Sequence, residues 1–127
     1  MNIKEEFRLA LRELVYPVCV VSAFNDETNE NHAITVSSVT SLSFEPPSIL
    51  VCINKESSIH SSLKKDANFN ISFLSSSQTE ISNLCGTDEL SDKRFDNDFW
   101  DFKNNIGFIK SSQSVICLLY TSDAADE

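Results

Sequence analysis

Six hydroxyl side chains crowd nine positions of this chain: Thr35, Ser37, Ser38, Thr40, Ser41 and Ser43. A β-strand shows alternate residues to opposite faces, so a strand with one wet face carries polar groups at about every second position. Here hydroxyls occupy both parities. The apolar spacing also changes midway, from Ile34 and Val36 to Val39, Leu42 and Phe44, which predicts a bulge or bend. Hydroxyls and backbone N–H groups freed at such a bend suit an uncharged, hydrogen-bonding ligand: a planar heteroaromatic ring or a polyhydroxyl chain. A Thr/Ser-rich edge strand carries the same letters, so composition alone leaves both readings open.

A second cluster follows at Asn54-Lys55-Glu56-Ser57-Ser58-Ile59-His60. An apolar run ends, a cation follows, and two serines open a helix. The first N–H groups of a helix lack intrahelical partners and its dipole is positive there, so the arrangement attracts an anion such as a phosphate. Lys55 adds charge. Any capped helix shows similar letters, and the cluster gains meaning only beside the hydroxyl run. His32 and His60 stand apart from any Cys or carboxylate cluster, so neither a Ser-His-Asp set nor a metal site is expected. His60 reads as a solvated helix-surface residue. Cysteines 19, 52, 85 and 117 show no CxxC spacing. Cys19 and Cys52 sit in apolar runs, where a free thiol behaves as a small hydrophobe, and no disulfide framework is expected.

The elements that must position these groups are mostly short strands. Ile3, Phe7, Ala10, Leu11 and Leu14 recur at helical spacing and predict a helix over 3–14. A β-branched run over 15–24 predicts a strand, with Pro17 marking a break or edge near its start. The polar stretch 25–31 predicts a turn. A second strand region spans 33–44, Glu45-Pro46-Pro47 interrupts pairing, and 48–53 predicts a strand buried on both faces. A short helix over 57–65 is capped by Ser57 or Ser58. Phe69, Ile71 and Phe73 alternate with Asn70 and Ser72, as in a half-buried strand. Ser77 and Glu80 form a capping-box pattern for a helix ending at Cys85-Gly86. Residues 87–105 read as a polar excursion that docks Phe95, Phe99, Trp100 and Phe102 onto the body, and 114–117 as the start of another strand. The pattern predicts a mainly β barrel with peripheral short helices.

The 127 residues fit one domain. A chain this short leaves about a third of its unfolded surface exposed, so dimerisation would add stability. The net charge of −9 argues against a nucleic-acid partner, which needs clustered Lys and Arg. No apolar run approaches the roughly 20 residues that span a bilayer. The first fourteen residues are charged and amphipathic rather than leader-like, and the expected location is the cytosol.

The last eleven residues, 117–127, resemble the translation of a transposon adapter from sequencing libraries. Residues 1–116 are expected to form the domain, with the natural polypeptide continuing beyond Ile116, and 117–127 to be a non-native tail. Without Asp123, Asp126 and Glu127 the net charge becomes −6.

The order of the two clusters is more specific than either alone. Thr35-Val36-Ser37-Ser38, then Ser41-Leu42-Ser43, Pro46-Pro47, Cys52-Ile53-Asn54-Lys55, Ser57-Ser58 and His60 resemble the flavin-reductase-like family. Phe7-Arg8 to Pro17-Val18 resembles the family's opening helix and first strand. Phe69-Asn70-Ile71 to Leu74-Ser75 with Gln78 resembles its next strand and turn, and Arg94-Phe95 with Trp100 its later aromatic segment. The resemblance covers 7–116. It implies an FMN-binding split β-barrel, a homodimer, and FMN, with FAD as the alternative, at the subunit boundary. By that likeness Thr35, Val36, Ser37, Ser38, Ser41 and Ser43 line the ring and ribityl chain. Asn54, Lys55, Ser57 and Ser58 lie near the phosphate, with Arg94 adding charge there. The implied activity is hydride transfer from NAD(P)H to flavin, with a two-component monooxygenase as partner through diffusing reduced flavin. No catalytic side chain is implied, because the cofactors carry the chemistry. Two departures stand out. Ala33 occupies a position where the family commonly has glycine, and the family's Gly-Asp-His type segment near the nicotinamide has no counterpart in this sequence. A flavin-binding electron carrier without turnover and an inactive truncated fragment are the competing expectations.

Overall fold

The computed structural model describes residues 2–13 and 17–121. Leu14 of the predicted helix, residues 15 and 16 of the predicted first strand and residues 122–127 of the predicted tail lie outside the described residues. In chain order the elements are α1 (Ile3–Arg12), β1 (Cys19–Asn25), β2 (Glu30–Val36), β3 (Val39–Phe44), β4 (Pro47–Val51), a 3-10 helix (Ser58–Ser62), β5 (Asn68–Phe73), α2 (Thr79–Gly86), a second 3-10 helix (Asp88–Lys93), β6 (Trp100–Lys103), β7 (Ile106–Ile109) and β8 (Ser114–Leu119). The molecule is mainly β with short helices, as the sequence predicts. Among the described residues no helix is long and apolar enough to cross a membrane.

Four antiparallel strands form a central sheet in the order β2-β1-β5-β8. Two further ribbons, β3–β4 and β6–β7, stand as separate sheets. The period-2 alternation of side chains assigns the layers. On one face Cys19, Val21, Ala23, Val36, Phe69 and Ile71 pack with Ile59, and the β3–β4 ribbon adds Val39, Ile49 and Val51. On the other face Val20 and Ala33 pack against Ile81 and Cys85 of α2 and Trp100 and Ile109 of the β6–β7 ribbon. The central sheet is thus sandwiched between two covers.

That sandwich explains the main departures from the sequence reading. β5 is buried on both faces rather than half-buried. Its polar positions do not face water. Asn70 Nδ2 donates to Gly107 O at 3.1 Å, Ser22 Oγ donates to the same carbonyl, and Ile109 N donates to Ser72 Oγ at 3.1 Å. Buried polar groups must find partners, and here they dock β7 onto the sheet. Conversely, 48–53 is not buried on both faces. β4 ends at Val51, lies in a two-stranded ribbon, and leaves Leu50 exposed. Glu45-Pro46-Pro47 does not interrupt pairing: Pro47 opens β4 opposite Phe44, across a cis Glu45–Pro46 bond.

Other boundaries shift for local reasons. The turn predicted over 25–31 tightens, because Asn25 Oδ1 accepts from Glu27 N and Thr28 N and Asn29 takes a positive φ of 61°. The Ser77–Glu80 capping box does not form. Gln78 is the N-cap of α2, and its side chain instead accepts from Ser75 N and donates to Ser111 Oγ. The predicted excursion contains a hairpin turning on Asn104 and Asn105, both at positive φ, a pattern Asn supports in tight hairpin turns. Within it Trp100 is buried against Phe95, with ring centroids 4.4 Å apart, whereas Phe102 stays half-exposed. β8 runs on through Cys117, Leu118 and Leu119, paired with Asn70, Phe69 and Asn68. α1 is capped by Asn2, whose side chain accepts from Glu5 N at 2.9 Å, and buries none of its residues.

Gly107 tests the packing of the β6–β7 cover. A Cβ there would lie 2.9 Å from Trp100 Cε3 and 3.2 Å from Phe102 Cε1. Gly107→Ala should therefore cost about 1–3 kcal/mol by overpacking, read as a lower midpoint in urea unfolding. Gly86→Ala is the control, since its Cβ would meet only ordinary contacts at 3.5 Å and beyond.

Candidate functional site

The hydroxyl run and the serine turn come together where the chain leaves the central sheet. β2 ends at Val36, and β3 begins at Val39 in a different sheet. The change of apolar parity is therefore a change of sheet, with an added irregularity between Ser41 and Ser43 in the β3–β4 pairing. Ser37 and Ser38 form the bend and are exposed. Ser38 Oγ donates to Cys52 O at 3.1 Å. That bond ties the bend to the residue just past β4, two positions before Asn54. The ladder partners Val39 and Val51 continue the contact.

The turn after β4 is built from its own polar atoms. Asn54 Oδ1 accepts from Glu56 N at 2.9 Å, and Asn54 O accepts from both Ser57 N at 3.0 Å and Ser57 Oγ at 2.6 Å. The Ser57 side chain thus turns back onto Asn54 and does not cap the helix. The helix itself is a 3-10 segment of five residues rather than the predicted span 57–65, because Leu63 leaves helical geometry and Asp66 takes a positive φ. A segment this short carries little dipole, so any anion attraction falls to Lys55 and the exposed turn. Lys55 and Ser58 are exposed beside it.

Not every predicted residue faces this region. Val36 is buried in the core beside Ile59, as its alternation with Ile34 requires. Thr35 points to the opposite face, where Oγ1 donates to Ser82 O at 2.7 Å. The solvent-facing part of the run therefore begins at Ser37. Arg94, expected to add charge near the phosphate, is instead bonded within the fold. It is 7% exposed and donates from Nη1 to Ala33 O at 2.7 Å, and from Nε and Nη2 to Leu84 O and Thr87 O at 3.2 Å each. Its guanidinium is committed to carbonyls of the fold.

A cavity of about 470 Å³ adjoins the ribbon, lined by Pro17, Val39, Ser41, Ser43, Phe44, Pro47, Ser48, Ile49, Phe73, Ile116, Cys117 and Leu118. Among the described residues no charged side chain lines it. It suits a neutral, mostly apolar group with hydroxyls along one wall. Sequence reasoning placed Ser41 and Ser43 near a ligand but missed Phe44, Ile49 and Phe73. The period-2 spacing of Val39, Ser41 and Ser43 was the available signal for the β3 wall, while the contribution of β5 and β8 requires the sheet order. A second cavity, of about 630 Å³, lies at the other end of β5 and is lined by charged residues including Asp26, Glu27, Lys64 and Lys65. It contains none of the predicted residues.

A family model described as the flavin reductase like domain matches residues 11–117. The chain is 31% identical over 104 residues to the reductase component of FADH(2)-dependent resorcinol hydroxylase from Rhizobium sp. strain MTP-10005, covering 82% of this chain and 58% of that protein. It is 35% identical over 83 residues to NADH:riboflavin 5'-phosphate oxidoreductase from Streptomyces pristinaespiralis, covering 65% of this chain and 47% of that protein. The chain thus spans about half the length of these relatives. A solved flavin reductase domain protein from Arthrobacter sp. FB24 shares the fold at a TM-score of 0.80 and 17% identity, covering 92% of this chain and 71% of that one.

Thiol chemistry reads this geometry directly. Burial pushes the Cys19 thiol up from 9.0 to about 11, and burial does the same for Cys85 against an opposing pull from Arg94. Cys52, beside the bend, and Cys117, at the cavity, are exposed. Alkylation of the native chain near neutral pH should label Cys52 and Cys117 and spare Cys19 and Cys85, which react only after unfolding. Peptide mass mapping checks this.

Proposed function

Because the chain belongs to the flavin reductase like family, we propose that it binds a flavin at the β2–β3 bend and holds it for reduction by NAD(P)H. FMN is the preferred form, with FAD as the alternative. The observation that carries the reading is the Ser38 Oγ to Cys52 O bond, which sets the hydroxyl run beside the Asn54–Ser58 turn. The residues present fit the cofactor's two ends. The uncharged cavity with Ser41 and Ser43 suits the ring. Ser37 and Ser38 at the bend suit the ribityl chain, and the exposed turn carrying Asn54, Lys55, Ser57 and Ser58 suits the phosphate.

A bound flavin supplies the hydride acceptor, and the nicotinamide supplies the donor. The chain's own contribution is positional and electrostatic. Its hydroxyls and backbone N–H groups orient the ring and meet the negative charge that grows on it during reduction. The low polarity of Ile49 and Phe73 strengthens those bonds by excluding water. No side-chain nucleophile or general base is required. We read the sandwiched sheets as a split β-barrel in the cytosol. By analogy with the resorcinol hydroxylase reductase component, we assign reduced flavin to a separate monooxygenase as its consumer.

Titration with FMN should quench flavin fluorescence, and adding NADH should consume nicotinamide absorbance in a flavin-dependent way. Ser57→Asp places a carboxylate beside the phosphate and should weaken FMN binding about tenfold or more. An unchanged affinity removes Ser57 from the site, and binding without NADH oxidation favours a carrier.

Apolar residues left in water support a homodimer. Phe44 is 90% exposed and Leu42 66% at the ribbon tip, beside the cavity. Patches of this kind on small proteins commonly mark association surfaces. Light scattering should report twice the 14.2 kDa chain mass, and Phe44→Glu should shift the population to monomer.

A further inference from the structure

Arg94 is a buried cation that pairs with no carboxylate among the described residues. Among the described residues the ion pair is Lys64 with Glu27, at the surface. The bonds of its guanidinium instead go to three carbonyls on three segments: Ala33 on β2, Leu84 on α2 and Thr87 just beyond it. Burying a charge is unfavourable unless hydrogen bonds replace its hydration. Carbonyls near the end of a helix carry partial negative charge and supply that replacement. The arginine is itself anchored, because Trp100 Nε1 donates to Arg94 O at 2.6 Å.

The clamp acts on a particular stretch of β2. Thr35, two residues beyond Ala33, binds α2 a second time through Ser82 O. Two residues further, the chain leaves the sheet at Ser37 and Ser38. β2 is an edge strand with β1 as its ladder partner. An edge strand is held less firmly than a central one, so α2 supplies the second hold. The bend is then pinned from both sides: upstream by Arg94 and Thr35, and downstream by Ser38 on Cys52.

We propose that Arg94 is a positioning residue for the ligand-binding bend, fixing through Ala33, Leu84 and Thr87 the strand that presents Ser37 and Ser38. The proposal rests on the flavin reading for the identity of the ligand, and on the clamp geometry for the mechanism. Lysine is the diagnostic replacement. It keeps the charge, but its single ammonium lacks the planar fork that reaches three separated carbonyls.

The test measures hydrogen exchange at residues 33–38 and FMN affinity in the full chain, for wild type, Arg94→Lys and Thr35→Val, well below their melting temperatures. Asn104→Ala serves as a control for plain destabilisation, since it strains the positive-φ turn at the tip of the β6–β7 hairpin, beside the charged cavity and away from bend and clamp. Arg94→Lys should speed exchange at 33–38 and weaken FMN binding, each by roughly tenfold or more. Thr35→Val should do the same to a smaller degree. Asn104→Ala should leave FMN affinity unchanged. Unchanged exchange or unchanged FMN affinity in folded Arg94→Lys overturns the proposal. The first would leave the bend independent of Arg94, and the second would make the clamp purely structural. A loss of FMN affinity in Arg94→Lys no greater than that in an equally destabilised Asn104→Ala also overturns it. If Arg94→Lys does not fold, Thr35→Val decides by the same two readouts. If wild type binds no FMN, the flavin reading fails, and exchange at 33–38 alone decides whether Arg94 holds the bend.

Discussion

β1 and β5 sit side by side in the middle of one sheet, and neither of their faces meets water. Cys19, Val20, Val21, Ser22, Ile71 and Ser72 are all fully buried. A sheet in that position needs a cover on each side, and 127 residues leave little material for two. The β3–β4 ribbon with the first 3-10 helix makes one cover. α2 with the β6–β7 hairpin makes the other. The rest of the molecule follows from this double demand. The hairpin can cover a partly polar face because Ser22, Asn70 and Ser72 bond its backbone, which leaves the buried polar groups satisfied.

The bend at Ser37 and Ser38 is a product of the same demand. The chain finishes β2 as an edge of the central sheet and must cross to the cover to become β3. At that crossing neither ladder claims Ser37 or Ser38, which stay exposed, and Ser38 Oγ bonds across to Cys52 O. The crossing is not loose. Thr35 and Arg94 hold its approach to α2, and Ser38 holds its exit to β4. A site made where a strand changes sheets, backed by rigid elements on either side, is well suited to orienting a cofactor that carries its own chemistry.

The cavity beside β3 shows how the covers differ. The α2 side is packed around Trp100, with Phe95 against it. The ribbon side leaves a hollow between β3–β4 and the ends of β5 and β8, and leaves Leu42 and Phe44 in water. One side of the sheet is densely packed, and the other keeps an open, apolar hollow. The charged hollow at the opposite end of β5 has none of this character.

The sequence by itself determined the class of the fold and the side chains available to the candidate site. Hydroxyls at both parities and the shift from Val36 to Val39 located the bend, because strand alternation is a local property legible in a few residues. Short apolar runs separated by turn residues marked a mainly β chain. Only the tertiary structure decided which polar residues were free. Asn70 and Ser72 look solvent-facing by alternation, and Arg94 looks like an available cation, yet each is buried and bonded to segments 6 to 61 residues away. Likewise the Asn54–Ser58 turn resembles a helix N-terminus in its letters but closes on itself, and its closeness to Ser38 depends on β3 pairing with β4. Side-chain type and spacing set what a residue is able to bond. The partner it actually meets is set by non-local packing, which a linear pattern does not encode.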